Sequence, residues 1–143
     1  MKNIFKIISL SFFLSIGLGC VDSLEVELWS ECYNIEETTE LNLSNRGLTG
    51  QISPALGELI NLTNLNLAIN ELNGEIPNEI ENLINLEFLD LRNNQLTGEI
   101  PSGIGNLTNL IALRFSENGL TGIIPSGIGN LVDLTYLYLD YNQ

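Results

Sequence analysis

Two cysteines, a few aromatic and arginine residues at recurring positions, and a surplus of carboxylates are the groups in this sequence that could do chemistry. Its 143 residues hold 18 Asp and Glu, 5 Lys and Arg and no His, a formal net charge of −13. Without histidine there is no Ser-His or Cys-His nucleophile pair and no imidazole ligand for zinc. An acidic surface repels phosphate backbones, which argues against nucleic acid as a partner. Carboxylate-pair hydrolysis needs an apolar cleft that raises one pKa; the acids here are scattered over a repeat, so the chain is read as non-catalytic. No Asp-rich loop has EF-hand spacing, and neither a metal nor a cofactor is expected. Gly103-Ile104-Gly105 recurs as Gly127-Ile128-Gly129 without a phosphate-binding lysine, so it is repeat structure and not a nucleotide loop.

The first residues read as an address. Lys2 and Lys6 precede an apolar run from Ile7 to Leu18. As a helix this run is about 18 Å long, short of a bilayer core of about 30 Å. A secretory signal peptide over residues 1–19 fits better than a membrane span. Gly17-Leu18-Gly19-Cys20 resembles a bacterial lipobox, although Leu18 stands two and not three places before the cysteine. On that reading Cys20 carries a lipid anchor to the membrane at the cell surface, and Cys32 is a free, buried thiol. The alternative is a secreted chain with a Cys20–Cys32 disulfide in an oxidising compartment. Seven acids between Asp22 and Glu40 make residues 20–37 an acidic, self-repelling tether leading into an N-terminal cap.

A period of 24 organises the rest. Leu59, Leu83, Leu107 and Leu131 keep this spacing, as do Asn70, Asn94, Asn118 and Asn142, and Gly50, Gly74, Gly98 and Gly122. Pro77, Pro101 and Pro125 follow Ile76, Ile100 and Ile124. The shared unit is L-x-x-L-x-x-L-x-L-x-x-N-x-L-x-G-x-I-P-x-x-I-x-N. In Leu65-Asn66-Leu67, leucines alternate with a polar residue, the mark of a strand with one buried face. The asparagine sits at a sharp turn, where a buried side-chain amide can satisfy backbone groups left unpaired; stacked copies would form a ladder. Gly74 permits positive φ in the next bend. Pro77 lacks a donor and suits the side away from the strand ladder. One such coil has too little interior to fold alone, so its leucines become buried only when neighbours stack on it.

The unit resembles the leucine-rich repeat, and its L-x-G-x-I-P ending looks like the subtype of plant receptor ectodomains that also occurs in bacterial surface proteins. The resemblance covers residues 38–143, about 4.5 repeats. It implies a curved right-handed α/β solenoid with a parallel sheet on the concave face, irregular or 3₁₀ segments on the convex side, and a role in binding proteins or peptides. The first coil departs from the unit at Arg46, at Ser53 and at Pro54, one place late. Trp29, Cys32 and Tyr33 could cover it; plant-type caps pair two cysteines around a tryptophan, whereas only Cys32 lies close to Trp29 here. The sequence stops at Gln143 halfway through a coil, which reads as a fragment of a longer protein.

With the leucines inward, their neighbours face out onto the concave sheet. Phe88, Arg92, Arg114, Tyr136 and Tyr138 fall in adjoining coils and are types enriched at binding hot spots. They are the expected contact surface for a protein or peptide ligand, or a glycan. Phe115 occupies a leucine slot and belongs to the core. Sequons at Asn42, Asn61 and Asn106 arise from the repeat itself, and are read as incidental. The function expected is therefore non-catalytic recognition at the cell surface. The alternatives are a fragment of a receptor-kinase-like ectodomain, or an adhesion stalk whose coils only set distance.

Overall fold

The computed structural model describes residue 20 and residues 23–143; the signal peptide read over residues 1–19 lies outside the described residues. Strands β1 (Glu25–Leu28) and β2 (Glu31–Asn34) form an opening hairpin. Each coil then supplies a short strand, a second strand and one 3₁₀ turn. These are β3 (Glu40–Asn42), β4 (Thr49–Gln51) and Pro54–Glu58, then β5 (Asn64–Asn66), β6 (Glu71–Glu75) and Asn78–Asn82. They continue with β7 (Phe88–Asp90), β8 (Gln95–Glu99) and Ser102–Asn106, then β9 (Ala112–Arg114), β10 (Gly119–Thr121) and Ser126–Asn130, and end at β11 (Tyr136–Tyr138).

The odd-numbered strands from β3 make one parallel sheet in the order β11-β9-β7-β5-β3. Its register is 24 residues, so Leu41, Leu65, Leu89, Leu113 and Leu137 lie in a single row. Leu65, Leu89 and Leu113 are fully buried, as are Leu72, Ile80 and Phe115, while Leu137 in the last coil is 42% exposed. With 3₁₀ turns on the opposite, convex side, this is the solenoid that the repeat pattern implies.

A second parallel sheet, β10-β8-β6-β4, runs through the segment read from sequence as a bend. Its register is 22 residues, with Asn73 opposite Gln95 and Gly98 opposite Leu120. Each coil therefore slips two residues in this sheet relative to the first. Gly98 sits within it at φ 78°, and a Cβ there would lie 2.8 Å from Cγ of Glu75 in the coil before. The left-handed backbone is what calls for glycine, since the Glu75 side chain can swing away.

The repeating asparagines tie the two sheets together. Asn94 Nδ2 donates to the carbonyls of Leu67 (3.0 Å) and Leu91 (3.1 Å), and its Oδ1 accepts from the Leu72 N–H (3.1 Å). Asn70, Asn118 and Asn142 repeat the pattern, reaching Leu43, Leu91 and Phe115 in the preceding coil. In the first coil the place belongs to Arg46, which is exposed: β3 is the end strand, so there is no earlier strand of the sheet to clasp. A second row, not foreseen from sequence, consists of Asn61, Asn85 and Asn109, whose Nδ2 groups each donate at 2.9 Å to Glu36 O, Ile60 O and Ile84 O. The left-handed residue of each turn is the one before the ladder asparagine: Asn45, Ile69, Asn93, Glu117 and Tyr141 have φ of 53–59°.

On the convex side Pro77, Pro101 and Pro125 precede the 3₁₀ turns in extended conformation. In the first coil Ser53 takes that place, its Oγ accepting from the Ala55 N–H (3.3 Å), and Pro54 becomes the first residue of the turn. Proline is well placed there because that N–H has no partner within the turn. The last turns approach so closely that a Cβ on Gly105 would collide with the backbone of Gly127.

Residues 25–34 form a cap on the first coil. Val26 and Leu28 alternate with Glu25 and Glu27 and are 5% and 1% exposed, which seals the first coil. The hairpin turns at Trp29 and Ser30, both left-handed (φ 49° and 65°), the pairing that suits a two-residue turn. Trp29, Tyr33 and Ile35 pack against the core. Burial raises the Tyr33 phenol above its ordinary range, and the hydrogen bond it donates to Glu31 adds to the effect. Cys20 and Cys32 form a disulfide, with Cα atoms 5.7 Å apart. This is the disulfide weighed above as the alternative to a lipid on Cys20, and it leaves Cys32 neither free nor buried. A sulfur held in a disulfide is not available for a thioether, and Cys32 is exposed on β2.

Two stability tests follow. Ile69 is 55% exposed and β-branched at φ 59°, so Ile69→Asn should raise stability by about 1 kcal/mol in chemical denaturation, since asparagine tolerates this conformation. Gly105→Ala should cost about 1–3 kcal/mol, because the opposing atoms are backbone and cannot swing away. Gly129→Ala, with nothing within 4 Å of the added carbon, should leave the melting temperature essentially unchanged.

Candidate functional site

The outward positions of β7, β9 and β11 bring the expected contact residues onto three adjoining strands. One row across the sheet reads Phe88, Ala112, Tyr136, and the next reads Asp90, Arg114, Tyr138. The two aromatics stand two strand spacings apart, about 10 Å, and Ala112 is covered between them.

Arg114 lies at the centre. Its guanidinium carbon is 6.0 Å from the Tyr136 ring centroid and 5.8 Å from that of Tyr138, and the two rings stack at 6.5 Å. These distances fall within cation–π range. Among the described residues its only ion-pair partner is distant, with Nη1 at 3.5 Å from Asp90 Oδ2, and its Nε is buried without an acceptor.

Arg92 is differently placed. It grips Asp90 as a fork, Nε to Oδ1 at 2.9 Å and Nη2 to Oδ2 at 2.8 Å. That hydrogen bonding raises the guanidinium above its already high ordinary value, while burial opposes it. Arg92 is thus committed within the sheet, and Arg114 is the cation with donor capacity left for a ligand. The neighbouring acids are also engaged: Ser116 donates to Asp140, and Asn93 Nδ2 donates to Glu117 Oε2 (2.8 Å). Sequence reasoning missed the role of Asp90 as the buried acceptor, 7% exposed, that orients both arginines. The 24-residue register between Asp90 and Arg114 was the signal for it.

A hollow of about 590 Å³, open to solvent, lies elsewhere, along the flank between Glu75, Glu99, Ile100, Ile123 and Pro125. At the cap, the ligand atoms of Cys20, Glu25 and Cys32 converge within 4.8 Å, but the two sulfurs are bonded to each other and offer no thiolates to a metal. The geometry provides a displayed face with one under-used cation and three exposed aromatic rings, which suits binding.

Removing the shared acceptor tests this arrangement. Asp90→Ala should destabilise the fold by about 1–3 kcal/mol, because it strands two cations beside a buried position. Arg92→Ala, whose side chain is 43% exposed, should cost less than about 1 kcal/mol. Urea unfolding of the two variants gives the comparison.

Comparison with known proteins bears on the fold and its family. The family described as Leucine-rich repeat region matches residues 24–142. No significant match is found among curated proteins. The LRR ectodomain of the plant membrane receptor kinase GASSHO1/SCHENGEN3 from Arabidopsis thaliana, in complex with CASPARIAN STRIP INTEGRITY FACTOR 2, is 50% identical at a TM-score of 0.72, over 73% of this chain and 12% of that one. The plant peptide hormone receptor RGFR1, in complex with RGF2, is 44% identical at a TM-score of 0.72, over 74% of this chain and 17% of that one. A chain of the BIR3–SERK2 complex from Arabidopsis thaliana is 34% identical at a TM-score of 0.68, over 84% of this chain and 63% of that one. This chain therefore spans less than a fifth of the first two receptors. A bacterial lipoprotein setting finds no support in these relatives, which are ectodomains of plant membrane receptors and their complexes. Repeat unit, doubled parallel sheets and solved relatives converge: the chain belongs to the leucine-rich repeat family.

Proposed function

We propose that this chain is a recognition segment of a plant-receptor-type extracellular ectodomain, and that it binds an extended peptide or a protein loop across β7, β9 and β11. The observation that carries this reading is Arg114, set between Tyr136 and Tyr138 with only one long contact to Asp90. An acidic group on the ligand completes the hydrogen bonding of Arg114, and an apolar side chain packs against the exposed rings of Phe88 and Tyr136. The aromatic rings lose little rotamer freedom on binding, which favours them as anchors. Similarity to ectodomains solved with peptide hormones and with SERK proteins supports the class of partner. It is this extracellular receptor setting, and not a lipid-anchored bacterial one, that the relatives favour.

The test is selection from a displayed library of linear peptides on the purified chain. Selected peptides should combine an acidic residue with a nearby apolar one. Arg114→Ala and Tyr138→Ala should each weaken their binding tenfold or more with the melting temperature unchanged. Peptides that bind both variants as tightly as the parent would show that this face is not the recognition surface.

A further inference from the structure

Three Asn-x-Ser/Thr sequons occur, at Asn42, Asn61 and Asn106, and the fold treats them differently. Asn42 lies in β3 on the concave face, where its Oδ1 accepts from both the N–H (3.1 Å) and the hydroxyl (2.8 Å) of Ser44, the third residue of its own sequon. Asn61 is a rung of the second asparagine row: its Nδ2 donates to Glu36 O in the cap at 2.9 Å, and the Thr63 hydroxyl donates to Thr39 O at 3.1 Å. Asn106 ends the 3₁₀ turn Ser102–Asn106 on the convex side, and both Asn106 and Thr108 are exposed. Neither of their side chains hydrogen-bonds to another of the described residues. Nor is this sequon a by-product of every coil, since Asn82 and Asn130 hold the same place but are followed two residues on by Ile84 and Val132.

We infer that Asn106 is an N-glycosylation site, and that Asn42 and Asn61 stay bare in the folded chain. The inference rests on the extracellular reading above, because the sugar donor is met only in the secretory lumen. In the transfer, Asn106 Nδ2 bonds to the anomeric carbon of an oligosaccharide carried on a lipid pyrophosphate. The carbon–oxygen bond to the pyrophosphate breaks with its electron pair, and the amide gives up one proton, which neutralises the departing phosphate. A glycan on Asn106 projects from a convex turn and displaces no contact. A glycan on Asn61 must fit where the amide is held against the cap, and one on Asn42 must stand on the sheet that the ligand crosses. Sugar on Asn106 alone leaves the face bearing Arg114 open.

The full chain is to be expressed in plant cells behind a host secretory leader, recovered from the medium and mapped by peptide mass spectrometry. Most secreted molecules should carry one glycan, at Asn106, whose enzymatic release leaves aspartate at that position. Asn106→Gln should be secreted without the glycan and melt at the same temperature as the enzymatically deglycosylated parent. Bare Asn106 in the secreted chain would overturn the inference, and so would a glycan on Asn61 as often as on Asn106. A parallel expression behind residues 1–19 separates the two levels. If that form is not exported, the extracellular reading fails, while the first expression still decides whether the site is used.

Discussion

The inward-turned side-chain amide of an asparagine, repeated in every coil after the first, is the interaction on which the structure depends. At the turn after each strand of the first sheet the backbone enters a left-handed conformation, which leaves carbonyls pointing into the stack. Buried polar backbone groups must find partners, or each costs on the order of 1–3 kcal/mol. Asn94 supplies them: its two N–H bonds reach a carbonyl of its own turn and one of the coil before, and its oxygen takes the Leu72 N–H that leads into the second sheet. One amide therefore fixes the turn, the stacking of neighbouring coils and the entry to β6. No aliphatic residue could do this, and aspartate would offer no donors to the carbonyls.

The scaffold so built is rigid, and its outward positions are free to vary. In β7, β9 and β11 that freedom has placed two arginines around one carboxylate. The fork between Arg92 and Asp90 satisfies most of the carboxylate's capacity within the sheet. Arg114, sharing the same acceptor at longer range and lying against two tyrosine rings, keeps donors in reserve. The difference between the two arginines comes from strand geometry: Arg92 is two residues from Asp90 on the same strand face, and Arg114 is directly across from it. A surface of this kind presents pre-set groups, with little left to order.

Much of this was legible in the amino-acid sequence, because each repeated residue type has one geometric use. The leucine row, the asparagine ladder, the left-handed glycines and the convex prolines all correspond to residues spaced by 24. The second sheet was not legible. Leu-x-Gly-x-Ile contains a glycine, which disfavours strands, and only the neighbouring coil's backbone makes Glu71–Glu75 one. The cap was foreseen, but its hairpin form was hidden for a related reason. Charge density suggested a tether across residues 20–37, yet Val26 and Leu28 alternate with the acids in a run too short to stand out. The Cys20–Cys32 bond depends on a through-space approach created by the fold at the hairpin, which linear spacing does not report. Asp90 was visible as an outward residue, but its burial follows from the bulk of Arg92 and Arg114 laid over it.

The unequal registers of the two sheets have a geometric outcome. A shift of two residues per coil in one sheet, against none in the other, is a displacement of roughly 6–7 Å along the strand at each step. The coils therefore cannot stack as parallel plates; each is turned a little on the one below, like treads on a spiral stair. A stiff rod laid along the inner face would lose contact within a few treads. A long body held against this face must bend or wind to follow it.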